Sequence, residues 1–310
     1  MAERDIFHLF HVLYKTKDRK KQKIWKDGKK QKTWNDILTF LQKQPDAAKQ
    51  KNEYGETPLH IAYLNKAPFK VVNTLLQIWP NASKEKDVSG STPLHIACSI
   101  GTPFGVVALL LQVWPDAVYQ KDSCGRTPIH WACLNIAPLE VVVALLQVWP
   151  DSVKEKDGIG SLTPLNYACL NRAPMEVVIH LLNNWLSYKE NTTNGAIINC
   201  QTNTTDLTED VRVLFSHLFA LCISNTLIVS RHFPQYLTLT HPPKETMDYF
   251  IRIQLWNGTT LVLDRNPTVI KTMGLDTKVM ADFLCRVGRC CSLTTMWVVL
   301  CNEQDLLEGV

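Results

Sequence analysis

Apolar residues recur along the chain with the spacing of helices, in blocks that repeat every 35 residues. The stretch LLQVWPD occupies residues 110–116 and again 145–151, and the near copy LLQIWPN occupies 75–81. In the second block the apolar residues that share one helical face are Val106, Val107, Leu110, Leu111 and Trp114. A period of roughly 20 to 50 residues is typical of a solenoid. The pattern therefore predicts stacked copies of one helical unit.

Each unit is predicted to contain two helices. The first opens on a Thr-Pro pair, in which threonine accepts from the free N–H groups of the first turn and proline fits the first helical position. These threonines are Thr57, Thr92, Thr127 and Thr163. The second helix also opens on a proline: Pro68, Pro103, Pro138 and Pro174. A helix is disfavoured at the residue before proline, so the Trp-Pro pairs predict where the second helix ends.

The repeated motif Gly-x-Thr-Pro-Leu-His-x-Ala, followed by a Val-Val-x-x-Leu-Leu helix, resembles the ankyrin repeat. Four units match, at residues 55–89, 90–124, 125–159 and 160–190. They are longer than the family's usual unit of about 33 residues. This long variant is similar to predicted ankyrin proteins of unicellular algae such as diatoms. The resemblance implies an all-α ankyrin-repeat solenoid.

The turn between the two helices departs from the family pattern. The usual left-handed glycine is present as Gly101 in the second unit, and we align it elsewhere with asparagine. Those residues are Asn65, Asn135 and Asn171. Asparagine tolerates the left-handed conformation better than most residues, so we predict positive φ there.

The flanks divide into an N-terminal cap and a divergent C-terminal part. Residues 1–54 are predicted to form an atypical cap, with a degenerate half-repeat and a basic segment, as the ends of a solenoid require. Residues 191–210 are rich in Asn and Thr and predict a polar linker. Residues 211–310 predict a mostly helical cap or degenerate repeats, which end in two amphipathic helices, the first capped by Asp276.

Two alternatives remain for YFIRIQLWNGTTLVLDR at residues 249–265. Alternating apolar runs around Asn257-Gly258 predict a β-hairpin near 249–264, because Asn-Gly favours the tight hairpin turn. The second alternative is a decayed repeat, in which NGTTLVLDRNP replaces the motif of the first helix.

Residues that recur once per unit are interpreted as packing residues, because a binding site needs its residues only once. Three such sets are Trp79, Trp114, Trp149 and Trp185; His60, His95 and His130; and Cys98, Cys133 and Cys169. The recurring lysines are interpreted as a solvated row, in which some side chains pair with acidic residues of the chain. The alternative is that they line a groove for an acidic partner. These residues are Lys51, Lys86, Lys121 and Lys156. Cys285, Cys290, Cys291 and Cys301 fit no usual zinc spacing. We expect no metal and no cofactor.

Among the catalytic signatures sought were a Gly-rich phosphate loop, a Gly-x-Ser-x-Gly elbow and His-Glu-x-x-His. The sequence contains none of them, so we expect no enzymatic activity and no small-molecule substrate. The resemblance implies instead a protein–protein interaction module or scaffold that binds another protein through its turn tips and first helices. Carried onto this chain, those positions are Glu53, Tyr54, Glu56, Val88, Ser89, Ser91, Ser99, Ile100, Ser123, Cys124, Arg126, Leu134, Asn135, Ile159 and Ser161. Tyr54 and Arg126 are the predicted hot spots, because Tyr and Arg are enriched in that role.

Charge suggests two further hypotheses. The net charge is +4, but residues 15–32 hold ten basic residues against Asp18 and Asp27, or about +8, which leaves about −4 elsewhere. This basic segment suggests a nuclear regulatory role, which joint substitution of Lys20, Lys21, Lys29 and Lys30 would test by loss of nuclear signal. Residues 211–229 approach membrane-spanning length, which makes a membrane tether the second hypothesis. Arg212, His217 and Asn225 would be costly in the middle of a bilayer, so the alternative of a buried helix is favoured. We expect a monomer in the cytoplasm or nucleus that contacts neither nucleic acid nor membrane.

Overall fold

The computed structural model describes residues 6–14, 27–200, 207–222, 241–266 and 268–269. The chain forms two compact units, Met1–Tyr167 and Ala168–Val310. Several predicted features lie outside the described residues: most of the basic segment, residues 223–229 of the stretch 211–229, the Asp276 helix and the four tail cysteines.

The described residues of the first unit are mainly helical. Its helices are α1 (Ile6–Tyr14), α2 (Asp27–Lys43), α3 (Pro58–Leu64), α4 (Phe69–Ile78), α5 (Pro93–Ser99), α6 (Phe104–Val113), α7 (Pro128–Leu134) and α8 (Leu139–Val148), and α9 (Pro164–Leu170) spans the division between the units. A one-turn 3₁₀ helix follows α2, α4, α6 and α8. The predicted pairs of helices therefore occur where the sequence placed them.

The caps form as the sequence predicts. Thr57 has extended backbone before α3, and Pro58 follows it at the first helical position. Thr92 and Thr127 cap α5 and α7 in the same way. The apolar face of each second helix is buried, as in α4, where Val71, Val72, Leu75 and Leu76 are at most 3% exposed. Burial of an aliphatic side chain stabilises by about 1.5–3 kcal/mol, so these faces hold the stack together.

The second unit is also helical. Its helices are α10 (Met175–Leu186), α11 (Asn194–Asn199), α12 (Glu209–Ala220), α13 (Pro243–Arg252) and α14 (Trp256–Arg265). No strand occurs in the described parts of the chain, which agrees with an all-α fold. Residues 194–199, assigned above to a polar linker, form α11 instead, because Thr193 caps it and Ile197 and Ile198 are buried.

The predicted β-hairpin near 249–264 is wrong, because Asn257-Gly258 lies inside α14. Gly258 allows close packing, since an added Cβ would meet Leu255 and Phe250 within 2.9 Å. The pair α13–α14 instead reproduces the geometry of a repeat. Gln254 in its turn has φ +60°, as Lys66 has φ +54° between α3 and α4. The decayed-repeat alternative assigned the stretch NGTTLVLDRNP to the first helix of a repeat. In the structure this stretch belongs to the second helix of the pair, α14.

The left-handed turn residue is Gly101 in the second unit, as predicted, but in the other three units it lies one position later than the predicted asparagine. Asn65 and Asn135 end their helices with negative φ, and each side-chain amide donates to the carbonyl four residues earlier. Positive φ falls on Gly101 and on three non-glycine residues: Lys66, Ile136 and Arg172. A non-glycine residue in this conformation costs roughly 1–2 kcal/mol. Ile136 is the most constrained of the three, since it is β-branched.

Replacing Ile136 by glycine is therefore expected to raise the free energy of unfolding by about 1 kcal/mol. This is the net result of two effects: the substitution relieves the backbone strain, and glycine has a greater entropy in the unfolded chain, which partly offsets that gain. Its side chain is 48% exposed and loses little packing. Ile100→Gly is the matched control, because Ile100 ends α5 with φ −109° and gains no relief. Urea titration would compare them, and destabilisation by both variants would contradict the assignment of strain.

Candidate functional site

The turn tips between successive repeats are held by one side chain each. Asp87 Oδ1 accepts from the backbone N–H groups of Ser89 and Ser91 at 2.9 and 2.8 Å. The residues equivalent to Asp87 are Asn52, Asp122 and Asp157, and each accepts two backbone N–H groups of its own tip. Each tip is thus a fixed turn, because a side-chain acceptor satisfies its free donors.

The tips are joined into one row by backbone hydrogen bonds between repeats. The N–H of Val88 donates to the Tyr54 carbonyl at 3.0 Å, and the N–H of Ser123 donates to the Ser89 carbonyl at 2.9 Å. The N–H of Gly158 donates to the Cys124 carbonyl at 2.8 Å. Neighbouring tips therefore lie edge to edge and present their side chains side by side.

Large apolar side chains project from this row. Val88 is 71% exposed, Ile159 68% and Tyr54 58%. A single exposed apolar residue is ordinary, whereas several aligned on a rigid row indicate a contact surface. Of the predicted positions, Tyr54 and Val88 stand on neighbouring tips, and Ile159 stands on the same row two tips beyond Val88. The tip residues Glu53, Ser89, Ser123 and Ser161 are exposed as well.

The other predicted site residues are less available. Asn135 is exposed, but its side-chain amide donates to a carbonyl of its own helix. Six of the others are half-buried: Glu56, Ser99, Ile100, Cys124, Arg126 and Leu134. Ser91 is buried, with 8% exposure, which does not favour it as a contact residue. It lies at the base of the tip, where its carbonyl accepts from the His60 ring at 3.3 Å.

Arg126 is committed to contacts within the first unit. Its Nε donates to the Tyr167 hydroxyl at 3.0 Å, and that hydroxyl donates to Asp157 Oδ2 at 2.7 Å. Its guanidinium lies over the Trp131 ring at 5.3 Å from the centroid. Only 20% of its side chain is exposed. The geometry does not favour Arg126 as a hot spot, since a partner would compete with all these contacts.

A hollow of about 690 Å³ opens beside the first tip. Glu53, Tyr54 and Glu56 line it together with apolar side chains of α1 and α3, including Phe7 and Ile61. Its size is that of a small-ligand pocket or of a cleft for a few peptide side chains. Sequence reasoning identified the tip residues but not the contribution of α1, which comes from a distant part of the chain.

The recurring histidines connect each repeat to the next. In each ring Nδ1 accepts the backbone N–H of the capping threonine at 3.1 Å. The other nitrogen, Nε2, lies 3.1–3.3 Å from a carbonyl of the next repeat: Ser91 for His60, Arg126 for His95, and Leu162 for His130. Burial lowers the pKa of all three from 6.5 to about 4. Both nitrogens of each neutral ring are therefore engaged, as the structural interpretation predicts.

The other recurring residues have structural surroundings as well. Lys51 pairs with Glu85 at 2.6 Å and Lys121 with Glu155 at 2.8 Å, so the lysine row is partly paired as predicted. Cys98, Cys133 and Cys169 are at most 4% exposed. The Tyr119 ring packs on Trp149 at 4.8 Å between centroids, which supports a packing role for the tryptophans.

Comparison with known proteins agrees with this architecture. Residues 65–157 match the family of ankyrin repeats as three copies. No curated protein shows a significant match to the chain. In the part of the chain that the structure describes, every helix is too short or too polar to cross a membrane.

Proposed function

We propose that this chain, whose residues 65–157 match the family of ankyrin repeats, acts as a non-catalytic scaffold that binds another protein through the row of turn tips. Ankyrin repeats in general bind proteins and carry no catalytic machinery. The observation that supports the proposal is the row itself, in which exposed apolar side chains stand on tips fixed by hydrogen bonds. A rigid surface loses little entropy on binding, which favours affinity.

The composition of the surface indicates the chemistry of its partner. Tyr54, the remaining predicted hot spot, stands beside the hollow and offers a rigid ring and a hydroxyl. Glu53 and Glu56 line the same hollow, and Asn52 fixes Glu56 through a 2.7 Å hydrogen bond. A partner segment that places an apolar side chain in the hollow and a basic one beside it would complement both features.

Removal of the exposed apolar side chains is expected to weaken binding strongly. Peptides that bind the full chain would be selected from a displayed random library. Their affinity for the triple variant Tyr54→Ser, Val88→Ser, Ile159→Ser should be at least about tenfold lower, because burial of these three side chains drives association. Titration calorimetry would measure the affinity, and circular dichroism would verify the fold.

The matched control is Phe69→Ser with Phe104→Ser, which removes exposed apolar side chains at the start of α4 and α6, away from the tips. Peptides that bind the tips should bind this variant like the unmodified chain. Equal affinity for all three proteins would place the binding surface elsewhere and contradict the proposal.

A further inference from the structure

Two histidines and a glutamate converge in the second unit, outside the ankyrin repeats. His217 lies on α12, His241 directly precedes α13, and Glu245 lies in the first turn of α13. One ligand atom from each lies within 4.8 Å of the other two. We propose that these three side chains form a zinc site.

The chemistry of the donors suits this ion. Imidazole nitrogen and carboxylate oxygen are both common zinc ligands, with bond lengths of about 2.0–2.2 Å. Two such ligands on a tetrahedral ion lie about 3.3 Å apart. Nδ1 of His241 and Oε1 of Glu245 are already 3.2 Å apart.

When Nε2 of His241 carries the ring hydrogen and donates to the Ser216 hydroxyl at 3.0 Å, the lone pair of Nδ1 points toward Glu245 and is available to a metal ion.

The neighbouring groups hold the two rings as ligands of a metal are usually held. Nδ1 of His217 lies 3.2 Å from the Thr246 hydroxyl, and Nε2 of His241 contacts Ser216. Metal-bound histidines commonly give their second nitrogen to such a partner, which fixes the tautomer and the orientation of the ring. The His217 ring is stacked between His241 and Tyr249, with centroid distances of 3.8 and 4.3 Å, and the two imidazole planes differ by 24°. Because an ion must lie near the plane of each ring that binds it, zinc binding requires one imidazole to tilt away from this stack.

The site is open on one side. His217 is buried, whereas the side chain of His241 is 14% and that of Glu245 58% exposed. Zinc can enter from the Glu245 side. Binding then requires the His241 ring, the more exposed of the two, to tilt and the Glu245 carboxylate to turn, so that the ligand atoms reach bonding distance. Three protein ligands leave the fourth position of the ion to water or to a group supplied by another molecule.

Zinc titration of the full chain, first stripped with chelator, tests the proposal. Calorimetry should show one equivalent bound, and Glu245→Gln should weaken the affinity by at least about tenfold. His241→Gln should abolish stoichiometric binding. Cobalt at the same site should give visible d–d absorption without the sulfur charge-transfer absorption of a thiolate site, which separates this site from one made by cysteines.

Two variants of the same unit serve as matched controls. Glu176→Gln removes an exposed glutamate from the first turn of α10, and His180→Gln removes a half-buried histidine outside the cluster. Both should bind zinc as the unmodified chain does. Absence of an equivalent of zinc, or equal binding by Glu245→Gln and His241→Gln with an unchanged circular dichroism spectrum, would overturn the proposal and leave a His–Glu ion pair.

Discussion

Acidification from pH 7 to pH 5 is expected to cost the ankyrin repeats about 5 kcal/mol of stability through His60, His95 and His130. Burial lowers the pKa of each from 6.5 to about 4. The unfolded chain therefore takes up three protons in a range where the folded chain takes up few, so stability is lost as the pH falls from about 6.5 to about 4. Each ring contributes about 2 kcal/mol between pH 7 and pH 5.

A loss of this size approaches the whole stability of a typical domain. Urea titrations followed by tryptophan fluorescence at several pH values would measure it. Above about pH 8 the three histidines should add no pH dependence, because they are then neutral in both states.

The chain provides its own control for this prediction. Asn166 takes the place of the histidine in the fourth unit, and its Oδ1 accepts from the Thr163 N–H at 2.9 Å and from the Thr163 hydroxyl at 2.8 Å. His130→Asn should therefore keep the helix cap and reduce by about a third the stability that the repeats lose between pH 7 and pH 5. A variant with an unchanged pH dependence would show that buried histidine is not its cause.

Gly125→Ala is expected to destabilise the first unit by about 2 kcal/mol. Gly125 has φ +72°, and an added Cβ would lie 2.7 Å from the backbone nitrogen of Gly158. That nitrogen donates to the Cys124 carbonyl and joins two tips. The cost combines roughly 1–2 kcal/mol for the left-handed backbone with the displacement of this hydrogen bond, which is worth about 1 kcal/mol.

Gly101→Ala separates the two contributions. Gly101 has φ +64°, but an added Cβ would meet no atom within 4 Å. Its substitution should cost only about 1 kcal/mol, because the strain of the backbone is partly offset by a less flexible unfolded chain. Thermal unfolding would compare the two variants, and equal losses would show that contact between tips does not matter at Gly125.

The helical pairs and their caps could be predicted because their causes are local. A Thr-Pro pair and an apolar face with helical period act within one helix, so Thr57 and the buried face of α4 follow from the sequence alone. The exposure of tip residues such as Val88 could also be predicted, because the family resemblance assigns these positions to turns.

The errors came from cases in which packing outweighs a local preference. Asn257-Gly258 is a strong turn signal, but the side chain of Asn257 donates to the Asn183 carbonyl at 2.6 Å and Gly258 packs against Phe250. The left-handed turn could not be assigned by residue type, because Ile136 adopts it against its own preference.

The contacts between distant parts of the chain had no sequence signal. His217 and His241 are 24 positions apart in the sequence, and this spacing matches no common zinc motif. Arg126 reaches Tyr167 across a full repeat, so its enclosed position could not be read from its own tip.

The bonds from each histidine to the following repeat also determine where the chain can be cut. A fragment that ends at residue 124, where the second sequence repeat ends, would lose the Arg126 carbonyl and leave His95 with an unsatisfied donor. It would also remove the Arg126 N–H that Asp122 accepts. The autonomous folding segment is therefore offset from the sequence motif by a few residues. Excised arrays should end after Arg126 or Leu162, on the far side of the next tip.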